Sequence, residues 1–397
     1  MLSYYSSISG IGGVLKQKAE DFIVEEILPD GRVLELNTPV NLDGTGNFLH
    51  FVLQKKNWST ASAIKEISRK LRISHRNFSQ AGNKDKSAIT TQLLSVYGTK
   101  KEHLDSLKIK DIQINGCWYS EDKLHLGQLL GNRFTISVSD IRSKSPEKEV
   151  NSIYKDLDAK FPNYFGEQRF GSTRSNTARI GLLLLRNQFE EAAMEFLANS
   201  EGEINEQAKL ARKSLSDSKD FSKAIKEFPK YLHLELSMLD YLSKNPNNFV
   251  GAFRKLPRTT LLLFVHAVQS LLFNQLVSER ISEKSYKPEE GEYLCAEKRP
   301  GFPDISNSTT TGWLAVKLIG YESKPNEREK KVLREFNIQV DDFKLRSIPE
   351  VGSKGNYRTM FAPLNDFSFK NNTFKFTLPS GCYATTALRE FLDQKSR

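Results

Sequence analysis

A short connection, Ala81-Gly82-Asn83-Lys84-Asp85-Lys86-Ser87-Ala88-Ile89-Thr90-Thr91-Gln92, joins a predicted helix to a predicted strand. The helix is indicated by apolar residues spaced i, i+1, i+4 and i+8, which are Ala63, Ile64, Ile67 and Leu71. The β-branched run that begins at Ile89 is typical of a strand. The spacing therefore places Asp85 in a tight turn at the start of a strand, with a lysine on each side.

Local chemistry leaves two interpretations of Asp85 open. An aspartate on a turn that contains glycine can accept hydrogen bonds from its own backbone and have only a structural role. Alternatively, nearby positive charge can hold the carboxyl group ionised, as a catalytic carboxylate requires. The turn alone does not decide between them.

Composition narrows the class of protein. The chain has 397 residues, longer than a usual single domain, and 58 Lys and Arg against 48 Asp and Glu give a net charge of +10. Two domains are the expected organisation. The positive charge favours a polyanionic partner such as nucleic acid, although a basic protein without such a partner has the same composition.

Cysteine and histidine give no sign of a metal or disulfide site. The three cysteines are far apart and lack a CxxC spacing, and the six histidines form no HExxH motif or His/Cys cluster.

The sequence shows no targeting or membrane segment. The N-terminus lacks the order of a signal peptide, and no run of 18 apolar residues is present. We therefore predict a soluble cytoplasmic protein with no membrane segment and no metal.

Two further segments combine polar and aromatic residues with glycine. Residues 163–171 read Asn-Tyr-Phe-Gly-Glu-Gln-Arg-Phe-Gly, and residues 378–391 read Leu-Pro-Ser-Gly-Cys-Tyr-Ala-Thr-Thr-Ala-Leu-Arg-Glu-Phe. Core segments do not concentrate polar groups in this way, because each buried polar group needs a partner. The first of these segments is therefore a candidate for a functional site.

Together these motifs resemble the signatures of the TruD-type tRNA pseudouridine synthases. The connection fits the pattern Gly-x-Lys-Asp-(Lys/Arg)-x-Ala-x-Thr-x-Gln, and residues 163–171 fit the family's second signature at its fixed positions. Residues 124–134 and 378–391 resemble two more blocks in the same order, except that Cys382 stands where the family has serine. The resemblance extends along nearly the whole chain.

The resemblance implies site residues. In the family the matching aspartate, here Asp85, is catalytic, and a lysine in the position of Lys16 pairs with it. The sequence leaves open whether the carboxylate is a nucleophile at C1′ or a base that takes a sugar proton. The predicted substrate-binding residues are Phe22, Asn163, Phe165, Arg169 and Tyr383. No cofactor is expected.

The resemblance also implies an α+β fold with the pseudouridine synthase mixed β-sheet core, helices, and a helix-rich inserted domain. We assign residues 1–175 and 350–397 to the catalytic core and residues 176–349 to the insertion, which would dock RNA. The candidate docking residues are Arg254, Lys255 and Arg258, with Lys209, Arg212 and Lys213 on another helix. A solvated lysine face is an equally good interpretation of that second group.

The predicted function is isomerisation of a specific uridine of tRNA, position 13 in the family, to pseudouridine. The alternative is a non-catalytic tRNA-binding or RNA-chaperone protein with the same fold. A GTPase is disfavoured, because the chain lacks a phosphate-binding G-x-x-x-x-G-K-[ST] loop. The sequence gives no oligomeric state.

Overall fold

The computed structural model describes residues 2–171 and 173–393. Packing divides the chain into two compact units, each built from several segments. Among the described residues, 5–161, 297–303 and 361–393 form one, called here the sheet unit. Residues 2–4, 162–171, 173–296 and 304–360 form the other, called the helical unit.

The strands are numbered along the chain. They are β1 Val14–Leu15, β2 Phe22–Ile27, β3 Phe48–Lys56, β4 Phe78–Gln80, β5 Ile89–Tyr97, β6 Ile112–Ser120, β7 Gly131–Ser139, β8 Lys160–Pro162, β9 Tyr293–Arg299, β10 Phe302–Thr309, β11 Trp313–Leu318, β12 Asn356–Thr359, β13 Phe361–Pro363, β14 Asn365–Lys370 and β15 Thr373–Pro379.

The helices are numbered in the same way. They are α1 Thr60–Leu71, α2 Lys101–Asp105, α3 Pro146–Asp156, α4 Thr177–Leu185, α5 Phe189–Leu197, α6 Glu206–Ser218, α7 Phe221–Glu227, α8 His233–Lys244, α9 Phe249–Phe253, α10 Arg258–Ser282, α11 Glu327–Glu335 and α12 Ala384–Leu392.

The sheet unit is built on a mixed sheet with the order β14-β15-β7-β2-β5-β3-β6, to which β1 adds at β7 and β4 at β5. The pairing of β2 with β5 is parallel, with Ile23 opposite Ile89, whereas the other pairs of this sheet are antiparallel. Because β2 and β5 run parallel, both strands begin at the same end of the sheet. The residues that precede β2 and β5 therefore meet at that end.

Apolar alternation explains the packing of the sheet. In β7, Phe134, Ile136 and Val138 are buried against β15 and the helices α3 and α12. Helix α1 packs Ala63, Ile64 and Ile67 against Phe51 and Leu94 of β3 and β5, farther along the same sheet. Its first turn is capped by Ser59, whose hydroxyl accepts a hydrogen bond from the Ser62 amide at 3.1 Å. The start of α1 is therefore fixed, and it lies beside the turn that contains Asp85.

The helical unit packs helices α4 to α11 around one apolar cluster that includes Leu184, Leu239, Phe253, Val268 and Leu333. Helix α10 supplies the longest buried stripe of this cluster. The unit also contains β11, which pairs antiparallel with β9 and β12. The predicted α+β class, with a mixed sheet and a helix-rich part, is confirmed.

One helix of the described residues, α10, is long and apolar enough to cross a membrane by length and composition. In the structure, 67% of its most apolar window is buried inside the protein. Buried core helices of water-soluble proteins pass the same test of length and composition.

The units divide at residues 161/162 and 360/361. The sequence analysis placed the boundaries of the predicted domains at 175/176 and 349/350. The Asn163–Gly171 motif therefore packs with the helical unit. The physical reason is that Asn163 and Phe165 bond to residues of β12 and α10, as described below.

Candidate active site

Asp85 lies in the turn before β5, and its carboxylate is paired with Lys16. The Lys16 ammonium donates to Asp85 Oδ2 at 3.1 Å, and about a quarter of each side chain is exposed, 24% and 26%. Lys16 lies between β1 and the 3₁₀ turn Ala19–Asp21 that leads into β2, and Asp85 lies four residues before the start of β5. The parallel pairing of the two strands brings together residues 69 positions apart in the chain.

The same ammonium also lies over the ring of Phe22, 3.9 Å from its centroid. The Phe22 ring is buried, 1% exposed, and makes an edge contact with Phe134. Lys16 itself has a left-handed backbone, with φ of 60°. Lys16, Phe22 and Asp85 thus form one cluster in the sheet unit.

A buried ion pair fixes the turn on the N-terminal side of Asp85. Lys84 donates to Glu26 of β2, and the two side chains are only 4% and 0% exposed. The second Glu26 oxygen accepts from the Leu93 amide of β5 at 3.0 Å. Breaking a buried pair of this kind leaves an uncompensated charge, so Lys84 is held firmly.

Thr60, the first residue of α1, and Gln92 of β5 hold the same turn. The Thr60 hydroxyl accepts from the Lys84 amide at 3.1 Å and donates to Gln92 Oε1 at 2.8 Å. Gln92 Nε2 in turn donates to the Gly82 carbonyl at 3.1 Å. The Lys and Gln of the motif therefore shape the turn, and Asp85 carries its partly exposed charge.

A third lysine contacts Asp85 through the backbone. Lys55, near the end of β3, is 1% exposed and donates from Nζ to the Asp85 carbonyl at 2.8 Å. Burial lowers the pKa of Lys55 to about 8; the Asp85 charge opposes this shift and the Lys84 charge adds to it. Asp85 is thus contacted by Lys16 at its carboxylate and by Lys55 at its carbonyl, within one unit.

In the helical unit, Asn163 is 3% exposed and all its polar groups are bonded within that unit. Its Nδ2 donates to the backbone and hydroxyl oxygens of Thr359 at 3.1 and 3.0 Å. Its Oδ1 accepts from Arg358 Nη2 at 2.5 Å, and its amide donates to the Met360 carbonyl at 2.9 Å. The structure thus gives Asn163 a bonded structural position, and a direct contact with uracil stays a prediction.

Phe165 is also buried, 7% exposed, and two arginines lie against its ring. The guanidinium of Arg358 is 4.1 Å from the ring centroid and that of Arg169 is 5.5 Å. Asn274 of α10 holds the Phe165 backbone at both ends, accepting from its amide at 2.8 Å and donating to its carbonyl at 2.9 Å. Arg169 donates from Nε to the Ser270 hydroxyl at 3.2 Å. Asn163, Phe165 and Arg169 thus form a second cluster, in the helical unit.

Tyr383 lies in the sheet unit at the N-terminus of α12 and is half-buried. Its carbonyl accepts from the Thr386 hydroxyl at 2.8 Å. The neighbouring Cys382, which replaces the family's serine, is half-buried and packs against the apolar cluster of the sheet unit. The roles of both residues toward a substrate stay predictions.

The predicted RNA-docking residues Arg254, Lys255 and Arg258 are exposed at the surface of the helical unit. Arg254 donates to the Ser347 carbonyl at 3.0 Å, Arg258 donates to the Glu350 carbonyl at 2.8 Å, and Lys255 lies over the Tyr241 ring. A role in RNA docking stays a prediction for these three residues.

The prediction was wrong for Arg212. Its side chain is 1% exposed and is bonded to Glu203, Glu235 and the carbonyls of Phe196 and Leu197. A buried arginine with this many partners holds helices together and cannot reach a phosphate. The charge of the helix in the sequence did not reveal that this one residue lies on its buried side.

Within residues 2–171 and 173–393, no group of three or more His, Cys, Asp or Glu side chains is placed to hold a metal ion. The site residues that sequence reasoning missed are Lys55, Glu26, Thr60 and Arg358. Strand alternation could have found Lys55, because it continues the face of Phe51 and Leu53. No local pattern could have found Arg358, whose partner Asn163 is 195 positions away.

Comparison with known proteins gives a consistent result. The family model described as tRNA pseudouridine synthase D (TruD) matches residues 1–391. Two similar relatives are named "Probable tRNA pseudouridine synthase D". The one from Archaeoglobus fulgidus is 37% identical, over 98% of this chain and 97% of the relative, and the one from Methanococcus vannielii is 38% identical, over 98% and 97%.

Among solved structures, the chain is similar to a Methanosarcina mazei protein described as a tRNA pseudouridine synthase D (TruD). The TM-score is 0.74 at 30% sequence identity, and the match covers 98% of this chain and 95% of that one.

Proposed function

The chain belongs to the tRNA pseudouridine synthase D (TruD) family and is a tRNA pseudouridine synthase, an isomerase; from this premise we propose that Asp85 is its catalytic carboxylate and that uridine 13 of tRNA is its target. The observation that carries the proposal is the pairing of the Asp85 carboxylate with Lys16, at a position that keeps a quarter of both side chains exposed. A catalytic carboxylate needs this combination of charge and access.

The reaction conserves all atoms of the uridine. The bond between N1 and C1′ breaks, the uracil turns, C5 joins C1′, and the proton that leaves C5 is balanced by the proton gained at N1. A carboxylate near the sugar serves either as nucleophile at C1′ or as the base that removes a sugar proton. Both roles require a carboxylate held in a fixed direction, and the adjacent Lys16 ammonium donates a hydrogen bond to Asp85 Oδ2 at 3.1 Å.

The fixed turn adds orientation to charge. Lys84, Thr60 and Gln92 hold the turn on the N-terminal side of Asp85, so the carboxylate is presented without a search among loop conformations. Preorganised groups of this kind lower the barrier because their ordering is complete before the substrate binds. The Lys16 ammonium lies over the buried Phe22 ring, 3.9 Å from its centroid, so the ring supports the lysine that holds the carboxylate.

The target base must leave its stack in the folded tRNA before it can reach a carboxylate. Such flipping costs a few kcal/mol, which phosphate contacts and aromatic stacking compensate. The net charge of +10 suits this task. Asn163, Phe165, Arg169 and Tyr383 are proposed to bind the substrate on the strength of the family motifs alone.

The decisive experiment is the Asp85→Asn variant, which keeps the shape of the side chain and removes its charge. We expect pseudouridine formation at position 13 of an unmodified tRNA transcript to fall at least roughly 10²–10⁴-fold, the range that a positioned acid or base contributes. Thermal unfolding and tRNA affinity should change little.

A transcript with cytidine at position 13 is the control for the target. If it still receives pseudouridine at wild-type yield elsewhere, the choice of uridine 13 is wrong. If Asp85→Asn keeps its activity within tenfold of wild type, Asp85 is not the catalytic carboxylate. An inactive wild-type protein that binds tRNA would instead support the RNA-chaperone alternative.

A further inference from the structure

Lys55 is a buried lysine with very little to satisfy its charge. Its side chain is 1% exposed, and its described hydrogen bond is the one to the Asp85 carbonyl at 2.8 Å. Among the described residues, no carboxylate lies within ion-pair distance of its ammonium group. Burying an ammonium in this way is unfavourable, so a residue such as methionine would fill the same space at lower cost to stability.

The surroundings of Lys55 explain where its ammonium acts. Lys55 pairs with Thr90 of β5 and Ile112 of β6, so its backbone is fixed on both sides by the sheet. The charged groups that face it are Asp85 and Lys84, and Lys84 is bonded to Glu26. The ammonium is therefore attracted by the residue whose carbonyl it contacts and repelled by the residue before it.

We infer that Lys55 is a positioning residue for catalysis, which holds the Asp85 backbone so that the carboxylate keeps its place beside Lys16; this rests on the proposed role of Asp85. The Lys55 ammonium donates to the backbone carbonyl of Asp85, and the Lys16 ammonium donates to its side-chain carboxylate. The backbone and the side chain of Asp85 are therefore each held by a lysine. Loss of the Lys55 contact frees the peptide plane that sets the direction of the Asp85 side chain.

The test compares Lys55→Met with Lys56→Met. Lys56 is the neighbouring residue of the same strand, 38% exposed and paired with Glu20, so its substitution controls for removal of a lysine from this position of the sheet. In single-turnover assays with tRNA we expect Lys55→Met to be about 100-fold slower, the effect of a small misplacement of a catalytic group. Its tRNA affinity should stay within about threefold of wild type, because phosphate contacts dominate affinity. Lys56→Met should stay within about twofold in rate.

A pH profile separates positioning from a purely structural role. The pKa of Lys55 is lowered to about 8, so its charge and its bond to the Asp85 carbonyl weaken as the pH rises through 8. The single-turnover rate of the wild type should fall through this range. In Lys55→Arg, which stays charged, the fall should move up by more than about one pH unit, and the rate at pH 7 should exceed that of Lys55→Met at least tenfold.

The outcomes are distinct. If the wild type forms no pseudouridine, the proposed function fails, whatever the variants do. If the wild type is active and Lys55→Met keeps its rate within threefold, or loses affinity and rate equally, Lys55 does not position Asp85. Should Lys55→Met fail to fold, the profiles decide: an alkaline fall that moves in Lys55→Arg supports the inference, and a flat wild-type profile or an unmoved fall overturns it.

Discussion

Two polar motifs of this protein are held by the same means and yet differ in what they expose. The turn around Asp85 is fixed by buried bonds from Lys84, Thr60 and Gln92, and it leaves the Asp85 carboxylate 26% exposed. The segment around Asn163 is fixed by Thr359 and Arg358. There the Asn163 side chain is buried and uses its own polar groups in these hydrogen bonds. A polar motif can therefore mark either the group that reacts or the frame that holds a group in place.

The first prediction tests the frame of the Asp85 turn and has the largest expected effect. Lys84→Met leaves the Glu26 carboxylate buried at 0% exposure without its partner, and it should lower the free energy of unfolding by about 3–5 kcal/mol. Denaturant unfolding measures this change. Lys86→Met, at the exposed neighbouring lysine, is the control and should stay within about 0.5 kcal/mol. A loss below about 1 kcal/mol in Lys84→Met would mean that the ion pair does not hold the turn.

The second prediction tests whether Asn163 stabilises the folded segment or contacts the substrate directly. Asn163→Ala removes the partners of Arg358 Nη2 and of the Thr359 oxygens, and we expect a stability loss of about 2–4 kcal/mol. The single-turnover rate of the folded variant should fall less than about tenfold. The exposed Asn83→Ala is the matched control for stability. The opposite pattern, full stability with a rate loss of 100-fold or more, would place Asn163 in direct contact with uracil.

The third prediction concerns the surface and has the smallest expected effect on stability. Arg254 and Arg258 are anchored by backbone carbonyls, so replacing both with alanine should cost no more than about 1 kcal/mol of stability. If both contact phosphates, the slope of log affinity for tRNA against log salt should become shallower by about 1–2. The pair Lys330→Ala with Lys331→Ala, on exposed lysines of α11, is the control. If the slope of log affinity against log salt is unchanged in the arginine variant, Arg254 and Arg258 do not contact RNA phosphates.

Much of the architecture was predictable because it follows local patterns. Apolar alternation predicts the strand that contains Phe134, Ile136 and Val138, and helical spacing predicts α1. The family signatures identified Asp85 and Lys16 as partners, and the structure places them 3.1 Å apart. These features depend on residues close in sequence or on motifs whose pairing the family already implies.

The remaining parts of the candidate site depend on which side chains the tertiary structure buries. Arg212 carries the same charge as the neighbouring Lys209 and Lys213, yet it is buried among carboxylates and carbonyls, which a charge count cannot show. Arg358 reaches Asn163 and Phe165 only because β12 passes beside the Asn163 segment. Long-range contacts of this kind are fixed by topology and leave no trace in local sequence.

The parallel pairing of β2 with β5 also has a consequence for folding kinetics. Lys16 precedes one of these strands and Asp85 the other, and the chain between them contains β2, β3, α1 and β4. Non-local ladders of this type form more slowly than helices, because chain closure precedes the contacts that stabilise them. During refolding, helical signal should therefore return before isomerase activity does, and activity should appear when this ladder closes.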